Sequence, residues 1–349
     1  MRYSFFFFLC FISILSHAQK YTPVFPSLTG NELLEALADN YKTSTTLSYG
    51  DARDLLYGEI DNKNDSVSCI YSGHRLYVAE GVDPSVFIFM DGDKNGINAE
   101  HVFPRSKGAD FGNPLADMHH IFPCRVEVNT NRGSFPFAEI ADQDTESWYL
   151  MTNELSNIPN SNIDAYSEGV RGVEGFFEPR ESRKGDIARA MFYFYTIYKA
   201  QADAADPNFF SQQMSTLCQW HEQDPVDEQE YNRTLSIAPH QDDIPNPFIL
   251  DCSLVERAYC QNEDIDCPEL PLINSTSSAD KVEHNFYPNP FQETLNVESI
   301  GEIHIKIFDV HGRILIQSQA YDKVVFNTSI LPSGIYILQI NQQLYKVVK

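Results

Sequence analysis

The chain has 349 residues, with 25 Lys+Arg against 49 Asp+Glu and a formal net charge of −24 at pH 7. Such a surface repels phosphate as a whole, which argues against a simple electrostatic nucleic-acid binder and leaves room only for a locally neutral or basic groove. The length suits one large domain and a small one, and the many Pro and Gly residues with only local helical periodicity point to mixed α and β with long loops.

The chain opens MRYSFFFFLCFISILSHAQK. Arg2, an apolar run over about 5–15 and a small-residue ending at Ala18 read as a secretory signal peptide, residues 1–18, too short to span a bilayer. An uncleaved anchor is the alternative. No other stretch reaches the length of a membrane span.

Residues 31–41, NELLEALADNY, carry apolar residues at helical spacing after an Asn, which predicts a helix, and 51–59 continue that character. Residues 87–91 form a short apolar run leading into DGDKNG, read as a plain turn because the acid required at the end of a calcium loop is missing. Residues 185–200, GDIARAMFYFYTIYKA, form the strongest predicted helix, with Ile187, Met191, Phe194 and Ile197 or Tyr198 on one side. Arg180, Arg183, Lys184 and Arg189 suggest a second locally basic patch there.

Seven cysteines are present, and six remain once Cys10 leaves with the signal peptide. An even number in an oxidising compartment allows three disulfides, with fifteen connectivities. Cys252, Cys260 and Cys267 lie close enough in sequence to expect at least one local bridge. Residues 268–284, polar, Ser/Thr-rich and opened by two prolines, read as a linker. From 285 to 349 the pattern changes to short runs alternating at period two, which predict a small all-β sandwich. YPNPF at 287–291, IKIFDVHGRIL at 305–315, LPSGIYILQI at 331–340 and the closing KVVK are similar to the C-terminal sorting domain of the type IX (Por) secretion system. That resemblance implies export across the outer membrane, with the secretion machinery as partner and a secreted or cell-surface location. An ordinary carbohydrate-binding or adhesion sandwich is the alternative.

The chemistry is concentrated in residues 98–137, NAEHVFPRSKGADFGNPLADMHHIFPCRVEVNTNRGSFPF. Between 94 and 139 five cationic residues balance five acids, so this is among the least acidic parts of an acidic domain. Glu100 and His101 fall at a predicted strand end, where both can reach a cleft. A loop follows, and Pro123 is read as opening a helix that Gly133 closes. Asn129 and Arg132, three apart, share a helical face. Glu100 and the Asn129 amide offer hard oxygen ligands, and two such ligands completed by water and phosphate are how Mg²⁺ is commonly held. A neutral His101 beside them could take a proton from water. Arg132 could neutralise phosphate, and Asp117 could support a neighbour by hydrogen bonding. This set fits phosphodiester hydrolysis better than peptide hydrolysis, since no H-E-x-x-H occurs.

EHVFP at 100–104, DMHHIFP at 117–123 and VNTNRGSFPF at 128–137 resemble the secreted bacterial endonuclease I family. FEPRESRKGDIARAMFYFYTIY at 177–198, WHEQDPVDEQEYNR at 220–233 and NPFI at 246–249 also match. The resemblance implies an α+β fold: a mainly helical catalytic domain over 19–267, with an embedded ββα-metal (His-Me finger) nuclease core. It implies cleavage of DNA, often RNA too, with little sequence preference; a monomer is expected. Carried over by position, His101 resembles the general base, and Glu100 and Asn129 the holders of one Mg²⁺, with Mn²⁺ or Ca²⁺ as alternatives. The family's transition-state arginine lies between His101 and Asn129, where Arg105 and Arg125 are the candidates, and Arg132 could instead fix phosphate or the helix end. His119, His120 and Arg189 are expected to meet substrate or line the cleft, though His119 and His120 could instead orient the loop and Arg189 could form a structural ion pair. Two other readings remain open: a zinc protein built on His101, His119 and His120, and a catalytically dead surface-binding protein.

Overall fold

A computed structural model describes residues 24–260, 285–308, 314–340 and 343–349. The expected signal peptide, the linker and Cys267 lie outside the described residues. Contacts divide the chain into two compact units, with the boundary between Leu272 and Ile273.

The first unit begins with α1 (Gly30–Asn40), whose Leu33 and Leu37 are buried. α2 (Tyr49–Leu55) follows, capped by the Ser48 side chain accepting from Asp51 N–H. It runs into a π-helical turn, Leu56–Ile60. A two-stranded hairpin, β1 (Ser66–Ser68) and β2 (Arg75–Tyr77), precedes α3 (Pro84–Phe89). The apolar run at 87–91 therefore belongs to the end of a helix and the turn after it.

β3 (Ile97–His101) pairs antiparallel with β4 (Ile121–Arg125), and α5 (Val126–Arg132) follows β4 without an intervening loop. α4 (Asn113–Ala116) lies in the connection. The structure corrects the helix start read at Pro123. Residues 121–125 are all buried and pair with β3, so Pro123 sits in a strand opposite Ala99. A proline is tolerated there because it lacks only a donor, and its carbonyl still accepts from Ile70 N–H at 2.8 Å. Gly133 ends α5 as expected: its φ of +55° suits glycine, and its N–H returns to the Asn129 carbonyl.

A four-stranded antiparallel sheet follows, ordered β6 (Asn153–Leu155), β5 (Ser147–Leu150), β7 (Ser167–Val170), β8 (Phe176–Glu178). The rest is helical: α6 (Lys184–Ile197), α7 (Lys199–Ala205), α8 (Met214–Gln223), α9 (Glu228–Ile237), α10 (Pro247–Leu250) and α11 (Ser253–Ala258). Buried on every side except at Tyr195, α6 is the axis of the domain rather than an amphipathic surface helix. Phe192, Phe194, Met191 and Tyr193 join Trp220, Phe210 and Phe248 in one core. Cys218 of α8 is bridged to Cys260, 42 residues on, and Cys252 is also disulfide-bonded. Cys69 and Cys124 are buried thiols with sulfurs 3.7 Å apart.

The second unit is all-β. β10 (Thr294–Phe308) pairs with β9 (Asn285–Tyr287) near its start, β12 (Ile335–Ile340) near its end, and β11 (Ile314–Asn327) along its length. β13 (Gln343–Val348) closes the edge on β12. The short runs expected here are partly merged, since β10 carries a register shift between Glu298 and Glu302 and pairs with β11 on both sides of it. Leu295, Val297, Ile305, Phe326 and Leu338 form its core.

Candidate active site

Glu100 and His101 are the last two residues of β3, and Asn129 and Arg132 lie on α5 directly behind the paired strand β4. The strand end allows both β3 side chains to face one groove despite being adjacent in sequence. That groove, ≈ 460 Å³, is lined by Glu100, His101, Arg105, Asn129, Arg132 and Ser134, among others.

His101 is 5% exposed, and its Nε2 stands 3.0 Å from the Leu115 carbonyl oxygen. A carbonyl can only accept, so Nε2 carries the hydrogen and Nδ1 keeps its lone pair. No described residue bonds Nδ1. Burial, reinforced by the nearby His120, Arg105 and Arg132, lowers the imidazole pKa to about 3, so the ring is neutral at physiological pH. Tyr49 packs against the ring at 5.5 Å between centroids.

Glu100 is buried. Its Oε1 accepts from Tyr71 Oη at 2.7 Å and lies 3.3 Å from Arg132 Nε, close enough for charge pairing though not aligned as a hydrogen bond. Burial raises its pKa to about 6, with Arg132 and Tyr71 opposing. Tyr71 is held in turn by Phe177 of β8, centroids 4.7 Å apart, and by its own carbonyl accepting from Ser167. Asn129 spends both Nδ2 hydrogens on Asn98 Oδ1, at 2.8 Å, and the Ala99 carbonyl, at 3.0 Å. That leaves the amide oxygen for the groove. The donor set open to a ligand is therefore a carboxylate oxygen and an amide oxygen, which suits a hard divalent cation.

The three candidate arginines separate. Arg132 is fully buried, with Nη2 on the Val102 carbonyl, Nη1 on the Gly133 carbonyl and its guanidinium over Phe137. It braces Glu100 and the end of α5. Arg105 sits in a 3-10 turn, Arg105–Lys107, at the groove rim. It pairs with Asp110, both side chains more than half exposed. Arg125 does not line the groove: it is fully buried and donates to Asn95 Oδ1 and the Thr152 carbonyl.

His119 and His120 are buried behind the groove. Their Nε2 atoms bond the Ile244 and Pro114 carbonyls. Neither lines the groove, and each is held in place by the backbone carbonyl it bonds. Asp117 supports them, accepting from His119 N–H, Gln241, Tyr193 and Tyr198. The three histidines thus anchor to three different carbonyls rather than converging, and among the described residues no cluster of three or more His, Cys, Asp or Glu could hold a metal. Arg189 lies in the core, where two of its nitrogens meet the two Glu230 carboxylate oxygens at 2.6–2.7 Å. It braces α6 against α9 and does not line the groove. Lys184 is likewise buried, on Glu139, Glu178 and Glu181, so the basic patch expected there is not an open one.

Sequence reasoning missed Tyr71, Tyr49, Ser106 and Ser134. The two serines bond each other across the groove at 2.8 Å. The two serines fall inside the 98–137 stretch beside Arg105 and Arg132, whereas Tyr49 and Tyr71 lie outside it and are brought in by the fold.

Residues 29–252 match the family described as Endonuclease I. The chain belongs to the endonuclease I family. Residues 285–349 match the secretion system C-terminal sorting domain. Among curated relatives, an extracellular ribonuclease of Bacillus subtilis (strain 168) is 28% identical over 234 residues, 63% of this chain and 72% of that protein. An extracellular ribonuclease of Bacillus amyloliquefaciens is 30% identical over 165 residues, 44% of this chain and 50% of that protein. This endonuclease I family member is therefore an exported nuclease, with nucleic acid as substrate and the secretion machinery as partner of its tail. No helix among the described residues is long and apolar enough to cross a membrane.

Proposed function

We propose that the protein is a metal-dependent endonuclease of low sequence preference that hydrolyses DNA and RNA phosphodiester bonds, built on a ββα-metal core of β3, β4 and α5. The observation that carries this reading is the pinning of His101 by Leu115, which presents a neutral Nδ1 beside two open oxygen ligands. His101 Nδ1 takes the proton of the attacking water. The burial that favours the neutral ring also weakens it as a base, and an anionic phosphate entering the groove raises its proton affinity. Glu100 Oε2 and Asn129 Oδ1 would hold one Mg²⁺, which when bound supplies charge stabilisation at the leaving oxygen. Arg105 contacts the phosphate, and Arg132 and Tyr71 hold the Glu100 carboxylate in place. RNA is included because both relatives are named ribonucleases.

The test is incubation of the mature protein with plasmid DNA and with RNA, in Mg²⁺ and in chelator, beside His101→Ala. Cleavage in Mg²⁺ that chelator and the substitution both abolish supports the reading. A folded protein that leaves both polymers intact, or a variant as active as the parent, overturns it.

A further inference from the structure

A second concavity lies against the β3–β4 pair, with none of the groove's lining residues in its wall. It has a volume of ≈ 240 Å³, and its wall includes Phe122 and Pro123 of β4, the strand paired with the one carrying Glu100 and His101. Five cationic side chains face it (Lys63, Arg75, Arg180, Arg183 and Arg233) against three acids, Asp61, Asp186 and Glu230. In a chain of net charge −24, that balance is against the trend.

The three acids are already engaged. Asp61 takes two nitrogens of Arg233, at 2.7 and 3.0 Å. Asp186 pairs with Arg183 at 3.2 Å. Glu230 is committed to Arg189 in the core. Among the described residues, no carboxylate lies within ion-pair distance of Lys63, Arg75 or Arg180. Arg75 is tied only through Nε to Ser68 Oγ, and Arg180 through Nε to the Ile70 carbonyl. The terminal nitrogens of both, in a fixed fork suited to phosphate oxygens, remain available. A glycine permits this placement: a Cβ at Gly73 would stand 3.1 Å from Arg180 Nη1. Arg183 Nε is buried without a hydrogen-bond partner. Burial, with the neighbouring Arg183 charge, depresses the Arg180 pKa, and an anion held against its free terminal nitrogens would act in the opposite sense.

We propose that this pocket binds a phosphate of the nucleic-acid backbone outside the scissile position, an anion site separate from the catalytic groove. Its size admits one phosphodiester unit, so the chemistry recognised is phosphate and not base sequence. A local site of this kind lets an acidic protein retain a polyanion while its surface as a whole repels one. The inference rests on the nuclease reading for its polymer.

The test uses the full mature chain and two variants: Lys63→Gln/Arg75→Gln, both exposed, and Arg180→Gln. Binding of a labelled single-stranded oligonucleotide is followed by anisotropy in chelator across a salt series. Each lost contact should weaken binding about three- to tenfold and flatten the slope of log K against log salt by about 0.7. Cleavage of long RNA should fall with it, while hydrolysis of bis(p-nitrophenyl) phosphate stays unchanged. Unchanged salt slopes in both variants overturn the proposal, as does a parallel loss on the small diester. Variants that bind oligonucleotide normally but no longer respond to inorganic phosphate as competitor would show a free-phosphate site and overturn it as well. A wild-type protein that cleaves nothing refutes the nuclease reading alone, because the binding series is read without cleavage.

Discussion

The Nε2 of His101 donates to the carbonyl oxygen of Leu115, fourteen residues along the chain, at 3.0 Å. This contact fixes which nitrogen can act as a base. His101→Ala should lower cleavage by about 10²- to 10⁴-fold, the usual worth of one positioned general base. Mg²⁺ affinity, measured by calorimetry, should hardly move, because the oxygens proposed to hold the metal belong to Glu100 and Asn129. Loss of both together would show that the histidine holds the metal rather than the proton.

Tyr71 positions Glu100 without reaching the groove lining. Tyr71→Phe removes one donor from a buried carboxylate whose pKa already stands near 6, and so raises its proton affinity further. Mg²⁺ affinity at neutral pH should fall about 10- to 100-fold, as for other residues that orient a metal ligand. Saturating Mg²⁺ should restore most of the rate. A rate that stays low at saturation would place Tyr71 in the chemistry itself.

Arg132 and Arg105 should separate stability from rate. Arg132→Ala leaves Glu100 as a buried, partly uncompensated charge and frees the Val102 carbonyl, so unfolding free energy should fall by about 3 kcal/mol. Arg105→Ala acts at an exposed position and should leave the melting temperature in place. Its kcat/KM should fall about 10- to 100-fold through the lost phosphate contact. Denaturant curves and steady-state kinetics on both variants check the division.

These residues differ in how far the sequence reveals them, and distance along the chain is not the reason, since Asn129 lies as far from Glu100 as Tyr71 does. Glu100 and His101 are adjacent and Asn129 and Arg132 share one turn, so each pair is legible locally, and the endonuclease I motifs are what join the two pairs. Tyr71 lies 29 residues from Glu100 and is delivered by the contact between its ring and Phe177, which no local pattern encodes. Among the arginines, charge alone gave no ranking. Burial decides it, sending Arg125 to Asn95 and Thr152 and leaving Arg105 at the rim. Pro123 is a strong local signal for a helix N-terminus, and pairing with β3, a tertiary effect, overrides it and moves the start of α5 to Val126. The apolar side of α6 is legible locally, but the burial of Gly185 and Arg189 is not, because Asp224 and Glu230 cover them from later in the chain.

The Cys218–Cys260 bridge closes a loop of 42 residues over the α8 and α11 side of the core. By the chain-entropy argument, removing it should cost about 4 kcal/mol. Cys218→Ser/Cys260→Ser should therefore unfold at distinctly lower denaturant concentration, with cleavage at low temperature preserved. An unchanged midpoint would mean that the unfolded chain is already compact there.

His221 gives a pH test of the core that is independent of catalysis. Its ring is buried, with Nε2 donating to the Cys252 carbonyl and Nδ1 facing Arg189 at 3.3 Å. Burial, helped by the Arg189 charge, lowers its pKa from 6.5 to about 3. A base with a depressed folded pKa binds its proton in the unfolded state first. Its contribution is therefore intact above pH 6.5 and is lost as pH falls from there towards 3. Other groups titrate in the same window, including Glu230, whose burial raises its pKa to about 7 and works in the opposite sense. The comparison must accordingly be differential. Relative to His221→Gln, which cannot titrate, the wild type should lose about 1.4 kcal/mol of stability per pH unit between pH 6 and pH 4. Urea unfolding of both proteins at four or five pH values reads this slope directly. Parallel curves would mean that water reaches His221 and keeps its ring near the ordinary imidazole range.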